Sequence, residues 1–436
     1  MIWIPKLSSA GSRYLALADA IERAIEAGEL KVGDRLPPHR DIAWKLGLDT
    51  STVTKAYREA SRRHLIQGEV GRGTYVLGYS RAAEMFALHA DDPTVLDLSV
   101  NAPVATGGDA FAAAVERAIK TPGMDWPGYA SENLLRRLRI AGVRWLETRG
   151  IMARPEEVVP VAGGQAALAA ILNVLDIQSL GIEEQTYSGV IALARGRAMK
   201  AADLHMDSEG VLPRSLTDAA VDAAILTPTL HNPTGKIWPE ARRYELLAAA
   251  RRCGTLLIED DAYGPLADIE PMAALKSDAS ILFVSTLSKT VAPGLRTGFI
   301  WGRGQIIEKL SSAIYATSWG MAPFMMEVAI QWIESGIANE QMGCQRLEIE
   351  ARHRLATKFF PELRGNPPSP HIFVRTLAPA ELFETGGVRV ASSSAFSRRP
   401  EVNAGIRISL SAAPSRVALD IALSRCAKIV HAHARP

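Results

Sequence analysis

Lys289 stands in Ser285–Gly298 (STLSKTVAPGLRTG), directly after the apolar run ILFVS and seven residues before Arg296. Lysine is the side chain that condenses with carbonyls to form imines, and its amine must be deprotonated to attack. Small hydroxyl neighbours and an arginine on the same loop suit a phosphate clamp beside that amine. A second segment, Ile258–Gly264 (IEDDAYG), closes the run TLLIED. An acid at a strand's carboxyl end is placed to meet a ligand in an α/β sheet. Asp260 can pair with a protonated pyridine nitrogen and keep that ring an electron sink, while Tyr263 can hydrogen-bond a phenolate oxygen on it. In Thr227–Gly235 (TPTLHNPTG), Asn232 can donate its amide to the same oxygen from a rigid turn. In Val159–Leu168 (VPVAGGQAAL), backbone N–H groups of Gly163, Gly164 and Gln165 can cradle a phosphate where a helix starts. Taken singly, each has an ordinary reading: a solvated lysine, an acidic loop, an Asn-Pro turn, a lone double glycine.

These segments need a scaffold, and the sequence supplies one. The runs VVPVA, AAILT, TLLIED and ILFVST are continuously apolar and alternate with stretches rich in Ala, Leu and Arg. That pattern predicts an α/β fold with a mostly parallel sheet buried on both faces. A chain of 436 residues, 47% hydrophobic and 22% charged, has room for two or three ordered domains. No apolar run approaches the ~20 residues of a membrane span. The start, MIWIPKLSSAGSRY, lacks the apolar core of a secretion signal, so a cytoplasmic protein without a membrane partner is expected. Cys253, Cys344 and Cys426 are too scattered for a disulfide framework or a structural zinc site, and no metal is expected.

Charge is uneven. Residues 1–76 hold twelve Lys and Arg against nine Asp and Glu, whereas the rest of the chain is nearly balanced. The excess lies between Lys55 and Arg72, which predicts a small anion-binding module on a neutral body. Apolar residues at Leu15, Ala18, Ile21, Ala24 and Ile25 predict a helix that Gly28 stops. GDRLPP then forces a turn, Arg40 to Leu46 reads as a short helix, Gly47 as a tight turn and Thr50 to His64 as a longer helix. Thr50, Ser51, Thr52, Thr54, Lys55 and Arg58 crowd the start of that longer helix, which suits an end laid in a major groove. EVGRGTYV (69–76) reads as a hairpin wing with Arg72 at its tip. The expected division is a DNA-binding module at 1–78, a linker at 79–96 and a body at 97–436. Within the body a large part covers about 150–320 and a small part about 321–436.

GDRLPPHRDIAWKLGLDTSTVTKAYREASRRHLI followed by GEVGRGTYV resembles the winged helix-turn-helix of GntR-family regulators. The resemblance implies that Arg40 contacts DNA, that the helix-start residues Thr50, Ser51, Thr52 and Thr54 address operator half-sites in double-stranded DNA, and that Gly73 is the wing glycine. From Asp97 onward, Asn232, then Asp260 28 residues later, then Lys289 29 further on resemble fold-type I aminotransferases. Those enzymes bind pyridoxal 5′-phosphate (PLP), with a large domain and a smaller C-terminal α+β domain. The resemblance implies that Lys289 forms the internal aldimine, Asp260 holds the pyridine nitrogen, and Asn232 with Tyr263 holds the phenolate oxygen. It further implies that Arg296 with Ser288 or Thr286 binds the phosphate, and that Tyr187 stacks on the ring. Tyr129 is then the tyrosine that reaches the neighbouring subunit's phosphate, implying a homodimer. Arg407 (GIRISL) is then the arginine that grips a substrate carboxylate. Two departures stand out: Gly164 sits where relatives place Ser or Thr, and NPPSPHIFVR lacks a double glycine common there.

The two modules on one chain resemble the MocR subfamily of regulators. That layout implies a transcriptional regulator that senses an amine or amino-acid effector by aldimine exchange at Lys289, as a homodimer with swapped DNA-binding arms and at most residual transaminase turnover. The alternative is a working PLP-dependent aminotransferase with an accessory N-terminal domain.

Overall fold

The computed structural model describes the chain apart from residues 1–2, 6, 8–11, 27–28, 32–33, 63–64, 70–72, 77–93, 105–107, 124–127, 198, 400–402 and 434–436. Arg72 and the expected linker up to residue 93 therefore lie outside the described residues. The chain divides into two compact units, Met1–Asp91 and Asp92–Pro436.

The first unit runs α1 (Arg13–Glu26), β1 (Arg35–Leu36), α2 (His39–Leu46), α3 (Thr50–Arg62), β2 (Ile66–Glu69) and β3 (Gly73–Val76). Leu17, Ile21 and Ala24 of α1 pack with Ile42 of α2, and with Val53, Ala56, Tyr57 and Ala60 of α3. Leu17, rather than the expected Leu15, occupies the centre of that helix's apolar face. Gly47 ends α2 in the left-handed region (φ 61°), and its N–H reaches back to Ala43 and Trp44 carbonyls, as a helix-ending glycine does. β2 and β3 pair antiparallel with Glu69 opposite Gly73, and β1 pairs with β3, giving the wing.

The second unit opens with β4 (Leu96–Asp97), α4 (Gly108–Ile119) and α5 (Glu132–Glu147). The Ser131 hydroxyl caps α5 by accepting from Leu134 N at 3.2 Å. There follow β5 (Val158–Val161), α6 (Gly164–Val174), β6 (Ser179–Glu183), α7 (Ser188–Gly196) and β7 (Lys200–Leu204). A short hairpin of β8 (Met206–Asp207) and β9 (Gly210–Val211) precedes α8 (Pro213–Ala219), β10 (Ala223–Leu226), α9 (Glu240–Cys253) and β11 (Leu256–Asp260). Then come β12 (Ile281–Thr286), β13 (Gly298–Trp301), α10 (Gln305–Ser318) and α11 (Pro323–Glu334). Seven strands form one sheet in the order β5-β13-β12-β11-β10-β6-β7, and only β13 runs against its neighbours. Successive residues of one strand enter opposite cores. Phe283 joins Trp145 and Phe299 on one face, whereas Leu282 and Val284 join Ile258 and Leu168 on the other. That two-sided burial explains the continuous apolar runs.

The C-terminal part holds α12 (Ile337–Phe359), β14 (His371–Arg375), α13 (Ala380–Thr385), β15 (Val388–Arg389), β16 (Ala391–Ser392), β17 (Gly405–Ser409) and α14 (Arg416–Ala432). β14, β17 and β16 form an antiparallel sheet, and β15 pairs in parallel with β4. Two boundaries differ from the expected division at 150 and 321. α5 and α11 both belong to the large core, where Leu138 and Trp145 meet Met326 and Ile330. No helix among the described residues is long and apolar enough to cross a membrane.

Candidate functional site

The carboxyl ends of β10, β11 and β12 carry the loops with Asn232, Asp260 and Lys289. The acid run on β11 is sorted by strand alternation. Glu259 accepts from Met272 N (2.9 Å) and Ala273 N (2.8 Å), and Asp261 pairs with Arg149 Nε at 2.7 Å. Gly264 is required beside that pair, because a Cβ there would collide with the Asp261 carboxylate. Asp260 faces away from both. It is 6% exposed and accepts from Ala262 N at 3.1 Å, and no cation among the described residues lies within ion-pair distance. Burial pushes its pKa up to about 7, with the neighbouring charges of Asp261 and Glu183 adding to the rise.

Lys289 Nζ donates to the carbonyl of Asn101 at 2.9 Å. Burial brings its amine down to about 8, helped by the charges of Arg407 and Arg296 and opposed by Asp260. A lysine in that range presents a substantial neutral fraction near neutral pH, as imine formation requires.

Arg407, on β17, is buried with its Cζ 4.7 Å from the centroid of the Phe396 ring. Its Nη1 donates to Asn232 Oδ1 at 2.9 Å and its Nη2 to the Ser99 carbonyl. Arginine only donates, so the oxygen of the Asn232 amide is the atom turned to it, which leaves Nδ2 for another acceptor. Nε of Arg407 is buried without an acceptor, and no carboxylate pairs with the guanidinium among the described residues.

Arg296 takes the left-handed region (φ 47°) and donates through Nη2 to Ala162 O at 3.1 Å. Its guanidinium lies against Gly163, where a Cβ would come within 3.0 Å of Nη2. Thr286 Oγ1 lies 3.0 Å from Ser288 Oγ and accepts from Ser288 N at 3.1 Å. Gly163 precedes α6, whose first N–H groups have no partner within the helix. Gln165 donates from its side chain to Gly189 O at 3.2 Å, tying α6 to α7. Tyr187, just before α7, has its hydroxyl pKa raised by burial and then by the charge of Asp260, so its ring borders the same space.

These residues fit PLP on four counts. Asp260 is a buried acid in need of a cation, as a protonated ring nitrogen is. Arg296, two hydroxyls and a helix start converge where a phosphate belongs. Lys289 is a partly neutral amine. At Gly164 a Cβ would meet nothing nearer than Thr286 Cγ2 at 4.0 Å, so the cup has room rather than an obstruction.

Tyr129 is not part of this cluster. It is 79% exposed and stacks on the exposed Trp319, ring centroids 5.1 Å apart. In the first unit Arg40, Thr50, Ser51, Lys55 and Arg58 are exposed, while Thr52 and Thr54 are half-buried. Thr54 Oγ1 donates to Thr50 O at 2.8 Å and lies 3.2 Å from His39 Nδ1, so that hydroxyl joins α3 to α2. Gly73 has φ 122° and lies against the Arg35 side chain, which gives it a conformational reason to be glycine. Asn101, His371 and Phe396 escaped sequence reading. Asn101 Nδ2 lies 2.8 Å from Tyr263 Oη and 2.9 Å from His371 Nδ1, across 162 and 270 residues of chain, and no local pattern marks such pairs.

The sequence pattern of "Aminotransferase class I and II" matches residues 93–425, and that of "Bacterial regulatory proteins, gntR family" matches residues 13–76. The chain is 28% identical over 379 residues to the uncharacterized HTH-type transcriptional regulator YdfD of Bacillus subtilis, covering 79% of each chain. It is 27% identical over 354 residues to the vitamin B6 salvage pathway transcriptional repressor PtsJ of Salmonella typhimurium, covering 78% of this chain and 77% of that one. Among solved structures it resembles an archaeal alanine:glyoxylate aminotransferase (TM-score 0.70, 20% identity, 86% of this chain and 99% of that one). It also resembles the kynurenine aminotransferase of Pyrococcus horikoshii (TM-score 0.71, 20% identity, 79% and 92% covered). These structures share the fold of the body. The chain therefore belongs to the aminotransferase class I and II family, whose cofactor is PLP, and with a gntR-family module ahead of that body it has the MocR architecture of a DNA-binding transcriptional regulator.

Proposed function

We propose that this regulator senses a small molecule bearing both a primary amine and a carboxylate, and that Lys289 is the amine it displaces. The observation that carries this reading is the trio of buried groups lacking their natural partners among the described residues: Asp260 without a cation, Arg407 without a carboxylate, and Lys289 on a main-chain carbonyl. When bound, PLP supplies an aldehyde that traps amines and a ring that withdraws electrons. Asp260 would hold the proton on the ring nitrogen, and Asn232 Nδ2 and Tyr263 would hold the ring oxygen. Arg296, Ser288, Thr286 and the N–H groups of Gly164 and Gln165 would hold the phosphate, and Tyr187 would cover the ring. Lys289 would be the amine that the effector's own amine replaces, and Arg407 would take the effector's carboxylate through two N–H donors, which would fix its orientation. A switch works only if the effector prefers one of two states, here coupled to DNA affinity.

On this reading two copies act together, with Tyr129 contributing to the partner's phosphate site and two DNA modules addressing two half-sites in the cytoplasm. Arg40, Lys55, Arg58 and Arg72 contact phosphates or bases, and the hydroxyls of Thr50, Ser51 and Thr52 face the groove.

The test pairs an absorbance scan of purified protein with PLP, wild type against Lys289→Ala, with a gel shift on the DNA upstream of its own gene, wild type against Arg40→Ala. A visible band that needs Lys289 and a shift that needs Arg40 are expected, with added amino acids altering both. A Lys289-dependent band with steady turnover of amino donors and no DNA shift would make the protein an aminotransferase first.

A further inference from the structure

His371 opens β14, its ring fully buried. Nε2 lies 3.0 Å from the carbonyl oxygen of His231. A carbonyl can only accept, so Nε2 carries the proton. Burial, followed by the charge of Arg407, pushes the ring's pKa down to about 3, so it is neutral and Nδ1 is a bare lone pair. That lone pair faces Asn101 Nδ2 at 2.9 Å and fixes which way the Asn101 amide points, because the oxygen in that place would repel it. The same Nδ2 lies 2.8 Å from Tyr263 Oη, so its second N–H donates there and the phenol oxygen accepts. Asn101 Oδ1, buried, receives no donor among the described residues, so the Tyr263 proton does not return to it. Were His371 the other tautomer, Asn101 would turn its oxygen to Tyr263, take that proton, and leave the phenol only a lone pair to offer.

We propose that His371 and Asn101 are positioning residues that make Tyr263 a hydrogen-bond donor into the pocket, aimed at the ring oxygen of PLP. This rests on the PLP reading of the site. The direction of each bond is set, one after another, by the His231 carbonyl: His371 donates to it, Asn101 donates to His371 and to Tyr263, and Tyr263 donates onward. His371 also sets its ring edge-on to that of Tyr263, centroids 5.2 Å apart, which restrains the phenol's tilt.

A donor at the ring oxygen stabilises the most electron-rich, deprotonated form of the bound chromophore. Losing that donor therefore raises the pH midpoint at which the visible band of bound PLP titrates. The experiment records that midpoint in the full-length protein loaded with PLP, for wild type, Tyr263→Phe, Asn101→Ala, His371→Leu and the double variant Asn101→Ala/Tyr263→Phe. Tyr263→Phe is expected to raise the midpoint by about one pH unit or more, the size of a hydrogen bond to a charged acceptor. Asn101→Ala and His371→Leu are expected to raise it in the same direction, and Asn101→Ala to add nothing once Tyr263 is Phe. His371→Gln, which keeps an acceptor for Asn101, is expected to stay near wild type; it also serves if the leucine variant does not fold. An unchanged midpoint in Asn101→Ala, or a rise of equal size with and without the Tyr263 hydroxyl, would overturn the proposal. Absence of any Lys289-dependent band in the wild type would instead bring down the PLP reading, and this inference with it.

Discussion

At Gly164 the phosphate cup lacks a hydroxyl, although the space for one is open to 4.0 Å. Gly164→Ser is expected to tighten PLP binding several-fold, up to about ten-fold, the worth of one added hydrogen bond. Equilibrium dialysis against PLP measures it, and an unchanged Kd would mean that the hydroxyl finds no phosphate there. Lys289 carries a pH prediction. Its amine is neutral above about 8 and protonated below, so the rate of PLP uptake should climb as pH rises through that value and level off beyond it. Stopped-flow absorbance at fixed PLP would record the profile; a rate flat from pH 6 to ~9.5 would contradict the assignment. Arg149 is the residue where the pocket's support is most exposed to mutation. Its guanidinium is the close partner of buried Asp261, so Arg149→Met strands a carboxylate and should cost about 3–5 kcal/mol in unfolding free energy, read by denaturant titration.

At the scale of elements, the order of helices, wing and sheet was legible because it is written in local periodicity. Asn232, Asp260 and Lys289 stand out in the sequence because they follow successive strands 28 and 29 residues apart, and Tyr263 and Arg296 because they sit in the same two loops. The spacing to Asn232 and Lys289 singles out Asp260 from the acid run, and strand alternation then gives Glu259 and Asp261 their separate partners. Asn101 and His371 were not legible, because long-range folding brings them to Tyr263 and neither sits in a motif. Thr54 was read for its type at a helix start, whereas its hydroxyl ties the two helices of the turn together. Thr54→Val should therefore lower the melting temperature of the protein's first transition by the equivalent of about 1 kcal/mol. Ser51→Ala, at an exposed position, should leave melting unchanged and weaken DNA binding instead. Calorimetry and a gel shift on both variants separate the two roles.

At the scale of the whole molecule, the stretch that follows the DNA-binding half in sequence is pinned at both ends within the second unit. β4 is stitched to β15, with Asp97 bridged to Arg389 at 3.3 Å, and Val104 exchanges two hydrogen bonds with the Gln345 side chain. Between those fixed points, Ser99 O is held by Arg407 and Asn101 O by Lys289. PLP engaged by Lys289 would take away the donor of the Asn101 carbonyl, and an effector carboxylate on Arg407 would take away that of the Ser99 carbonyl, both in the strip that follows the DNA module in sequence. Deuterium uptake across residues 94–104 should then rise when PLP alone is added, and stay level in Lys289→Ala. A strip that stays equally protected would place the read-out elsewhere. If it loosens, the side chains that take the ligands are the same two that pin this strip to the rest of its own unit.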